Sequence, residues 1–308
     1  MSRINFKELV TSPPPATGWD LDLGEAVVVH RSGSDGLHCA SEALPPGAFE
    51  VGAVGLQAVD VELAGPVLAR LKGAAEGAST GALIVPTSWL RTFLIDADRP
   101  PRKEKELHEI VRWRLKKLLP VAPAELRLSV VRLPEVDGRR SLLVLAGIER
   151  AMSALEAAFR GVGVEVGLIT SRLFALIPHD LKSGPPVLLI QLEPGYLSIV
   201  LLVDGVPRLL RTKLLAGAAG TAAMVVRELR LTLEFVRDRI GLADELSVKL
   251  VCADRHLGGE LAGWLEMQPS LASLVEGEPA ACGPTAVVER LGGARLAPAV
   301  AVVTGAVR

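Results

Sequence analysis

Hydrophobic positions follow two patterns along this chain: short continuous runs, and longer stripes in which apolar residues recur three or four positions apart. The clearest runs lie within residues 185–213, where three apolar stretches are separated by turn residues at 194–195 and 204–205. Short apolar runs bounded by such turns are typical of buried strands. We therefore predict a strand, a tight turn, a strand, an Asp-Gly turn and a third strand. A weaker strand, turn and strand pattern covers residues 18–30.

Striped segments predict helices between these strands. Apolar residues recur with helical spacing in residues 59–71, 106–120, 149–162 and 222–240, while residues 81–86 and 246–252 are short buried runs. The C-terminal run 299–303 is compatible with either a strand or a helix. Both halves of the chain thus have strands, a helix, a further strand and a further helix in the same order. Two such halves predict a duplicated α/β fold.

Prolines and changes of pattern suggest the domain limits. Residues 1–16, which include three consecutive prolines, are predicted to form an extended tail. Residues 17–184 would form a first domain and residues 185–308 a second. The helix at 106–120 and a following hairpin with an Asp-Gly turn predict a small inserted subdomain at about 94–146 of the first domain.

Composition restricts the class of protein. The chain has 308 residues, a formal net charge of −1 and 49% hydrophobic residues, which gives no reason to expect nucleic-acid binding. Its three cysteines, Cys39, Cys252 and Cys282, have no CxxC spacing, so neither a zinc site nor a disulfide framework is predicted. The sequence contains no run of about 18 apolar residues, which is the length that a transmembrane helix needs. These features predict a cytoplasmic protein that reaches a membrane only through its partners.

The sequence offers no catalytic constellation. Its five histidines have no regular spacing from a serine, cysteine or carboxylate that would suggest a nucleophile and its base. We therefore assign no catalytic residue and no metal ligand from the sequence.

The helix of the inserted subdomain combines basic residues with an aromatic one. Arg112, Trp113, Arg114 and Lys116 lie close together along it, beside Lys117. Such a face can be a solvated helix surface, or it can be a docking site for an acidic peptide or a membrane. Trp113 can anchor a peptide or pack on the neighbouring hairpin. Both interpretations stay open, and the first four residues form a candidate partner-binding site.

Five segments carry a resemblance to a known family. They are ALIVPTS at 82–88, ELHEIVRWRLKKLLP at 106–120, LVLAG at 143–147, GVPRLLR at 205–211 and RELRLTLEF at 227–235. In their order and spacing, they resemble the PilM family of type IV pilus assembly proteins, which are cytoplasmic relatives of actin and of the cell-division protein FtsA. The resemblance implies an actin-like fold, in which a ribonuclease H-like core is duplicated in two domains and the first domain carries an inserted subdomain. It also implies a groove for the N-terminal cytoplasmic peptide of the membrane protein PilN.

The resemblance also implies where nucleotide-binding loops would lie. Each phosphate loop is expected to read Asp, a hydrophobic residue and Gly, because the carboxylate organises the metal and glycine admits the phosphate. Asp22 and Gly24 match this pattern in the first loop. The hydroxyl and lysine positions that should follow are taken by residues 25–27 and Val29, so the loop has lost its phosphate donors.

The second phosphate loop departs further from the expected pattern. Gln191 and Glu193 take the Asp and Gly positions, ahead of Gly195. A third segment, residues 252–255, reads Cys-Ala-Asp-Arg where the family has a Ser-Gly-Gly turn, although the glycines at 258–259 could supply that turn after a short insertion. We interpret both phosphate loops as vestigial.

These observations favour a non-catalytic cytoplasmic scaffold, a pseudo-ATPase peripheral to the inner membrane, in a type IV pilus machinery that drives twitching motility or in a related secretion machinery. The expected partner is a PilN-like inner-membrane protein, bound through its N-terminal peptide. The pilus motor ATPase and a second copy of the chain are further candidate partners, and no cofactor is expected. Two alternatives remain open, namely an actin-like ATPase that binds ATP and Mg²⁺ in the same machinery, and a cytoplasmic domain like that of the type II secretion protein GspL.

Overall fold

The structure of the chain is a computed structural model, and it divides into two units. It describes residues 14–32, 36–75, 77–97, 99–135, 138, 140–177, 185–215, 222–242, 246–268, 271–276 and 293–304. Among these, the first unit comprises residues 14–176 and 298–304, and the second comprises residues 177–276 and 293–297. Residues 298–304 are thus grouped with the first unit, whereas the limits suggested by the sequence assign them to the second domain. The first thirteen residues of the expected tail lie outside the described residues.

The first unit contains ten of the described strands and four helices. The strands are β1 (Thr17–Leu21), β2 (Glu25–Ser32), β3 (Gly36–Ala43), β4 (Phe49–Gly52), β5 (Gly55–Val59), β6 (Thr80–Val85), β7 (Arg91–Asp96), β8 (Leu126–Arg132), β9 (Ser141–Ile148) and β10 (Glu165–Ser171), and the helices are α1 (Val61–Ala74), α2 (Glu104–Leu115), α3 (Glu149–Gly161) and α4 (Arg172–Ala175).

The second unit contains five described strands and two helices. They are β11 (Val187–Glu193), β12 (Tyr196–Val203), β13 (Val206–Leu214), α5 (Ala222–Phe235), β14 (Leu246–Cys252), α6 (Arg255–Glu266) and β15 (Leu271–Glu276). A further helix, α7 (Gly293–Thr304), contributes residues to both units.

The two main sheets have the same topology. Their strand orders are β3-β2-β1-β6-β10 and β13-β12-β11-β14-β15, so each begins with a three-stranded antiparallel meander. The first strand of each meander, β1 or β11, pairs antiparallel with the next strand and parallel with β6 or β14. The predicted duplication of an α/β core is therefore confirmed, and it lets residues of one unit be matched to residues of the other.

Each sheet is covered by helices whose apolar stripes face it. Helix α1 begins after Asp60, whose carboxylate accepts hydrogen bonds from the backbone N–H groups of Glu62 and Leu63 at 3.0 Å. Its buried stripe joins the first core together with α3. In that core, the indole of Trp19 on β1 packs edge-on against Phe159 on α3, with ring centroids 5.2 Å apart. Burial of such large apolar side chains contributes about 1.5–3 kcal/mol each.

The inserted region consists of α2 and a three-stranded sheet in the order β7-β9-β8. The predicted hairpin is confirmed, because β8 and β9 pair antiparallel, while β7 is an additional strand that the sequence analysis missed. The helix is shorter than predicted. Helix α2 ends at Leu115, and residues 116–119 continue as a turn rather than as helix up to Pro120.

Several other elements differ from the sequence prediction. The hairpin of β4 and β5 was not expected. The helix predicted over 222–240 is α5 followed by one π-helical turn, Val236–Ile240, which ends at Gly241 in the left-handed region with φ +79°. The C-terminal run is a helix, α7. The expected Asp137 turn and the third cysteine, Cys282, lie outside the described residues.

Candidate functional site

The first strand of each meander ends in a tight hairpin turn, and these two turns occupy matching places in the two units. In the first unit, the backbone N–H of Asp22 donates to the carbonyl of Glu25 at 2.9 Å across a two-residue turn. In the second unit, Glu193 pairs with Tyr196 across a turn of the same length. The two registers give three pairs of counterparts: Asp20 with Gln191, Asp22 with Glu193, and Gly24 with Gly195.

This register corrects the way the two loops were compared from sequence. The counterpart of the Gln191–Glu193 triplet is residues 20–22, two positions before the triplet that begins at Asp22. With this register, the Asp position that the resemblance expects falls on Asp20 in the first loop. The position expected to hold glycine carries Asp22, just as it carries Glu193 in the second loop. Both units thus carry an acidic residue at the position where the resemblance expects glycine.

The carboxylates of the first loop are held by a buried arginine. Arg172 contacts Oδ1 of Asp20 through Nε at 2.9 Å and through a terminal guanidinium nitrogen at 2.8 Å. The same nitrogen donates to the backbone carbonyl of Leu21 at 3.0 Å and lies 3.3 Å from Oδ2 of Asp22. Arg172 is 5% exposed and Asp20 is fully buried. One guanidinium therefore binds both loop carboxylates and a loop carbonyl.

The end of β10 and the start of α4 position this arginine. Ser171 caps α4, because its hydroxyl accepts a hydrogen bond from the backbone N–H of Phe174 at 3.4 Å. The preceding backbone N–H, that of Leu173, donates to the hydroxyl of Thr87 at 3.3 Å. Arg172 is the first residue of the helix, so both contacts fix the backbone from which its side chain extends. Asp22 is held as well, since its Oδ1 accepts from the N–H of Gly24 at 3.0 Å.

The chemical consequence is that a buried guanidinium balances one of the two negative charges of the loop. A divalent cation at this position would need the Asp20 and Asp22 oxygens as ligands, since Mg²⁺ prefers carboxylate and carbonyl oxygens. One oxygen of each carboxylate, Oδ1 of Asp20 and Oδ2 of Asp22, already contacts a guanidinium, which is always protonated. A metal ion there would have to lie beside this guanidinium or displace it, and a displaced guanidinium would lose its ionic partners.

The second loop replaces the carboxylate altogether. Gln191, the counterpart of Asp20, is 3% exposed and brings a neutral amide to the end of β11. Gly195 has φ +78°, and it follows Pro194 in the turn. A type II turn requires positive φ at its second central residue and often has proline at the first. The glycine is therefore explained by the hairpin itself.

The third segment forms a helix start that is already capped. Oδ1 of Asp254 accepts from the backbone N–H groups of His256 and Leu257 at 2.9 and 3.0 Å, at the N-terminus of α6. A carboxylate thus occupies the place at which a helix end could receive a phosphate. The alternative turn at 258–259 is excluded, because both glycines lie within α6. Cys252, beside Asp254, has a thiol whose pKa burial raises to about 11, so it is not a reactive thiolate at neutral pH.

The described part of the chain holds no group of three or more His, Cys, Asp or Glu side chains that could bind a metal ion. Within the same residues, no helix combines the length and the apolar composition that a membrane span requires.

The candidate partner-binding residues on α2 divide into two kinds. Arg112 turns back onto the inserted region and donates to the backbone carbonyls of Pro123 and Leu126, the latter at 2.9 Å. Arg114 donates to the carbonyl of Asp96 at the end of β7. These two guanidinium groups bind the inserted region together, so each is already engaged within the first unit through one of its terminal nitrogens.

The other two candidates face solvent. Trp113 is 64% exposed, and Nζ of Lys117 lies 5.1 Å from the centroid of its indole ring, within the range of a cation–π contact. Lys116 is exposed beside it. The side chains of Ile110 and Leu118 are exposed as well. The structure thus reduces the predicted basic face to an aromatic and aliphatic patch with two lysines.

Arg172 and Asp20 are the site residues that sequence reasoning missed. Asp20 lies in the same short segment as Asp22, and only the pairing of β1 with β2 decides which of them matches Gln191. Arg172 is 152 positions from Asp20, so no local motif joins them. A single arginine shortly after the partly apolar segment at 164–169 is the only signal the sequence offered.

Comparison with known proteins identifies the fold. The sequence matches no protein-family model and no curated protein. Among solved structures, it is similar to a chain of the PilM-PilN type IV pilus biogenesis complex, with a TM-score of 0.69 and 22% identity over 96% of this chain and 99% of that chain.

Two weaker likenesses are to an actin-like ATPase fold protein from Bacteroides thetaiotaomicron and to the cytoplasmic domain of EpsL, an inner-membrane component of the Vibrio cholerae type II secretion system. The first has a TM-score of 0.49 and 10% identity over 87% of this chain and 93% of that chain. The second has a TM-score of 0.48 and 12% identity over 94% of this chain and 93% of that chain. The likeness to the chain of the pilus complex, together with the duplicated sheets, shows that the fold is the expected actin-like one.

Proposed function

We propose that this chain is a non-catalytic scaffold of a type IV pilus or related secretion machinery, and that it binds the N-terminal cytoplasmic segment of a PilN-like inner-membrane protein. Its fold is that of a chain in a complex with PilN, over nearly the full length of both chains. A shared fold does not by itself carry a function, so the proposal has to rest on the chemistry of the loops and of the exposed surface.

The observation that carries the non-catalytic part is the contact of Arg172 with Asp20 and Asp22. An actin-like ATPase needs loop carboxylates that organise Mg²⁺ and glycines that admit phosphate. In this chain, the one buried loop carboxylate is bound to a guanidinium, and the counterpart in the second unit is the amide of Gln191. Asp22, Glu193 and Asp254 add negative charge at three places where a phosphate would approach. All three features disfavour Mg-ATP.

The exposed patch on α2 supports the partner-binding part. Large exposed aromatic residues with neighbouring cations are frequent anchors of protein interfaces. Trp113 is held beside Lys117, and Lys116 adds a second cation, so the patch suits a peptide with apolar and acidic side chains. We propose that the peptide binds here, while Arg112 and Arg114 keep the patch in shape.

A thermal-shift titration tests the nucleotide claim. A ligand at a hundred times its Kd would stabilise the folded protein by about 2.7 kcal/mol, which raises Tm measurably. We expect no change in Tm with Mg-ATP, Mg-ADP or Mg-GTP. A rise in Tm that saturates with Mg-ATP concentration would contradict the claim and would favour the actin-like ATPase.

A peptide-binding experiment tests the partner claim. The probe is a fluorescein-labelled peptide with the N-terminal cytoplasmic sequence of the PilN-like protein from the same organism, followed by anisotropy. We expect saturable binding, and Trp113→Ala should weaken it by about thirtyfold if the indole contributes about 2 kcal/mol as an anchor.

A matched control is available in the second unit. Met267 is also a large apolar residue and is 73% exposed, so Met267→Ala tests for a general effect of removing surface apolar area. It should leave the affinity unchanged. Absence of binding to the wild-type chain, or an equal loss in both variants, would reject the α2 patch as the docking site.

A further inference from the structure

The second unit ends its sheet in a long strand with an open edge. Strand β13 has 9 residues and is the last strand of the order β15-β14-β11-β12-β13. It pairs with β12, and within the described residues no strand lies on its other side. Exposed edges of this kind present unpaired backbone groups that can pair with another chain, and natural proteins often block them.

The register identifies the backbone groups that face outward. The N–H of Leu215 donates to the carbonyl of Gly195 at 2.8 Å, and antiparallel pairing alternates from there along β13. Leu210, Thr212 and Leu214 therefore direct their backbone N–H and C=O groups away from β12. Among the described residues, none of these three backbones is bonded to another strand. An added strand would find donors and acceptors in the right alternation.

Helix α5 lies against the inner face of this edge strand. Glu228 on α5 accepts hydrogen bonds from Arg211 at 2.7 Å and from Lys213, both on β13. Thr232, one turn later on the helix, lies 3.4 Å from Arg211. These contacts fix which side of α5 faces the edge strand.

An apolar stripe on α5 borders the same edge. Met224, Leu231 and Phe235 are 39%, 45% and 46% exposed. Met224 precedes Glu228 by four residues, and Leu231 and Phe235 follow it by three and seven. All three therefore lie beside Glu228 on one face of the helix. The residues on the opposite flank of the buried stripe, including Val226 and Leu233, pack into the core instead. The exposed stripe thus faces outward, next to the open side of β13.

The charge of this region is positive. Strand β13 and helix α5 together carry five arginine or lysine residues and two glutamates. Glu228 is shared between Arg211 and Lys213, so it neutralises only one of them. The second glutamate, Glu234, is exposed on the helix. A segment with carboxylate side chains is therefore favoured over a second copy of the equally basic β13.

The first unit offers an internal comparison. By register, Thr212, Lys213 and Leu214 on β13 match Ser41, Glu42 and Ala43 on β3, the corresponding edge strand. The lysine is replaced by Glu42, which pairs with Arg70 on α1 at 3.1 Å. The exposed leucine is replaced by alanine. The basic and apolar character is thus specific to the second unit and is not a general consequence of the fold.

We propose that the groove between the outer edge of β13 and the stripe formed by Met224, Leu231 and Phe235 binds an extended acidic segment of a partner protein as a sixth strand. Backbone hydrogen bonds would supply affinity, and alternating side chains would supply specificity. Apolar and acidic side chains on the α5 face of the segment contact the stripe and the cations Arg211 and Lys213, which lie on that same face. This docking surface lies in the second unit and does not depend on the α2 patch.

Binding of a designed peptide to the full chain tests the proposal. The probe, called the Val/Glu peptide, is capped, labelled and as long as β13; every second residue is Thr, and the residues between are alternately Val and Glu, so that both kinds share one face. In the comparison peptide, called the Val/Lys peptide, Lys replaces Glu. We expect saturable binding of the Val/Glu peptide, measured by anisotropy, and no saturable binding of the Val/Lys peptide. Failure of the Val/Glu peptide to bind, whether because the edge is covered by the chain itself or for another reason, would overturn the proposal. Equal binding of both peptides would overturn it too.

Matched proline variants test the position. Thr212→Pro removes an outward N–H, which an edge strand tolerates, and it should weaken binding of the Val/Glu peptide about tenfold or more. Ser41→Pro removes the matching N–H of β3 and should leave the affinity unchanged. Leu231→Asp, on the helix surface, should also weaken binding, which keeps the test valid if Thr212→Pro does not fold. Equal losses in Ser41→Pro and in the two groove variants would reject the groove.

Two further measurements distinguish the β13 groove from the α2 patch, and an acidic partner segment from a second copy of the chain. Trp113→Ala should bind the Val/Glu peptide as the wild type does, and a matching loss would contradict a separate site. In sedimentation experiments, we expect the wild-type chain to form no dimer that is lost in Thr212→Pro. A dimer that this variant dissolves would mean that a second copy occupies the edge, and the acidic partner would be rejected.

Discussion

Arg172 contacts both carboxylates of the first loop and one of its backbone carbonyls. Breaking a buried ion pair by removal of one partner leaves an uncompensated charge and costs about 3–5 kcal/mol. We expect Arg172→Leu to lower the free energy of unfolding by about that amount, because Asp20 is fully buried and accepts two contacts from the guanidinium. Urea denaturation followed by circular dichroism measures it.

The control for this prediction is an ion pair at the surface. Arg70 pairs with Glu42 at 3.1 Å, and both side chains are well exposed. Such pairs contribute about 0–1 kcal/mol, so Arg70→Leu should cost little. If both variants lose the same small amount, the contact between Arg172 and Asp20 does not stabilise the loop as argued.

Two glycines separate backbone strain from steric exclusion. Gly55 has φ +107°, and a Cβ added there would lie 2.2 Å from the backbone carbonyl oxygen of Trp89. Gly195 has φ +78°, but a Cβ there would meet no atom within 4 Å. We expect Gly195→Ala to cost about 1–2 kcal/mol from the left-handed backbone alone. Gly55→Ala should cost clearly more, because backbone atoms must move. Thermal denaturation of both variants would refute this account if the order of the two losses were reversed.

At the scale of elements, the sequence predicted most of what has a strong pattern. The strands β11 to β13 and the helices α1 and α3 follow from continuous or striped apolar positions. The short β4–β5 hairpin and the half-buried β7 have no such pattern, because their neighbours rather than their own composition make them strands. The candidate site was less predictable. The register of β1 shows that Asp20 is the counterpart of Gln191. The fold brings Arg172, which follows Asp20 by 152 positions in the sequence, into contact with it.

The link between β13 and α5 has a testable pH dependence. The hydrogen bond from Lys213, with the charges of Arg211 and Lys213, holds the pKa of Glu228 below its ordinary value of 4.5, against the opposing effect of burial. A carboxyl whose folded-state pKa is lowered stabilises the fold above its unfolded pKa, and this stabilisation is lost as the pH falls through the folded-state pKa.

We therefore expect Glu228→Gln to be less stable than the wild type at pH 7, by at most about 3 kcal/mol. Partial solvation of both cations lowers the loss below that limit. The difference should shrink as the pH falls below 4.5. Urea midpoints measured over a pH series provide the test, with Glu234→Gln as the exposed control on the same helix. A difference that stays constant down to low pH would show that the charge of Glu228 does not contribute.

On the scale of the whole molecule, the described chain has two separate apolar cores. The core of the first unit contains Leu68 on α1, the core of the second contains Leu229 on α5, and the two clusters share no residue among those described. Both leucines are fully buried. Truncation of a buried leucine to alanine costs about 2–5 kcal/mol, because the apolar contacts are lost and a cavity remains. Effects at distant sites without shared partners are expected to be independent.

Hydrogen exchange measured by mass spectrometry can follow each core by its own peptides. Leu229→Ala should speed exchange in β11, β12 and β14 by at least about thirtyfold, which corresponds to a loss of about 2 kcal/mol, and should leave β1 and β6 unchanged. Leu68→Ala should have the reverse effect. If either variant accelerated both sets of strands equally, the two cores would open as a single cooperative unit. The two sheets would then share their stability, and a change at one hairpin turn would destabilise the other.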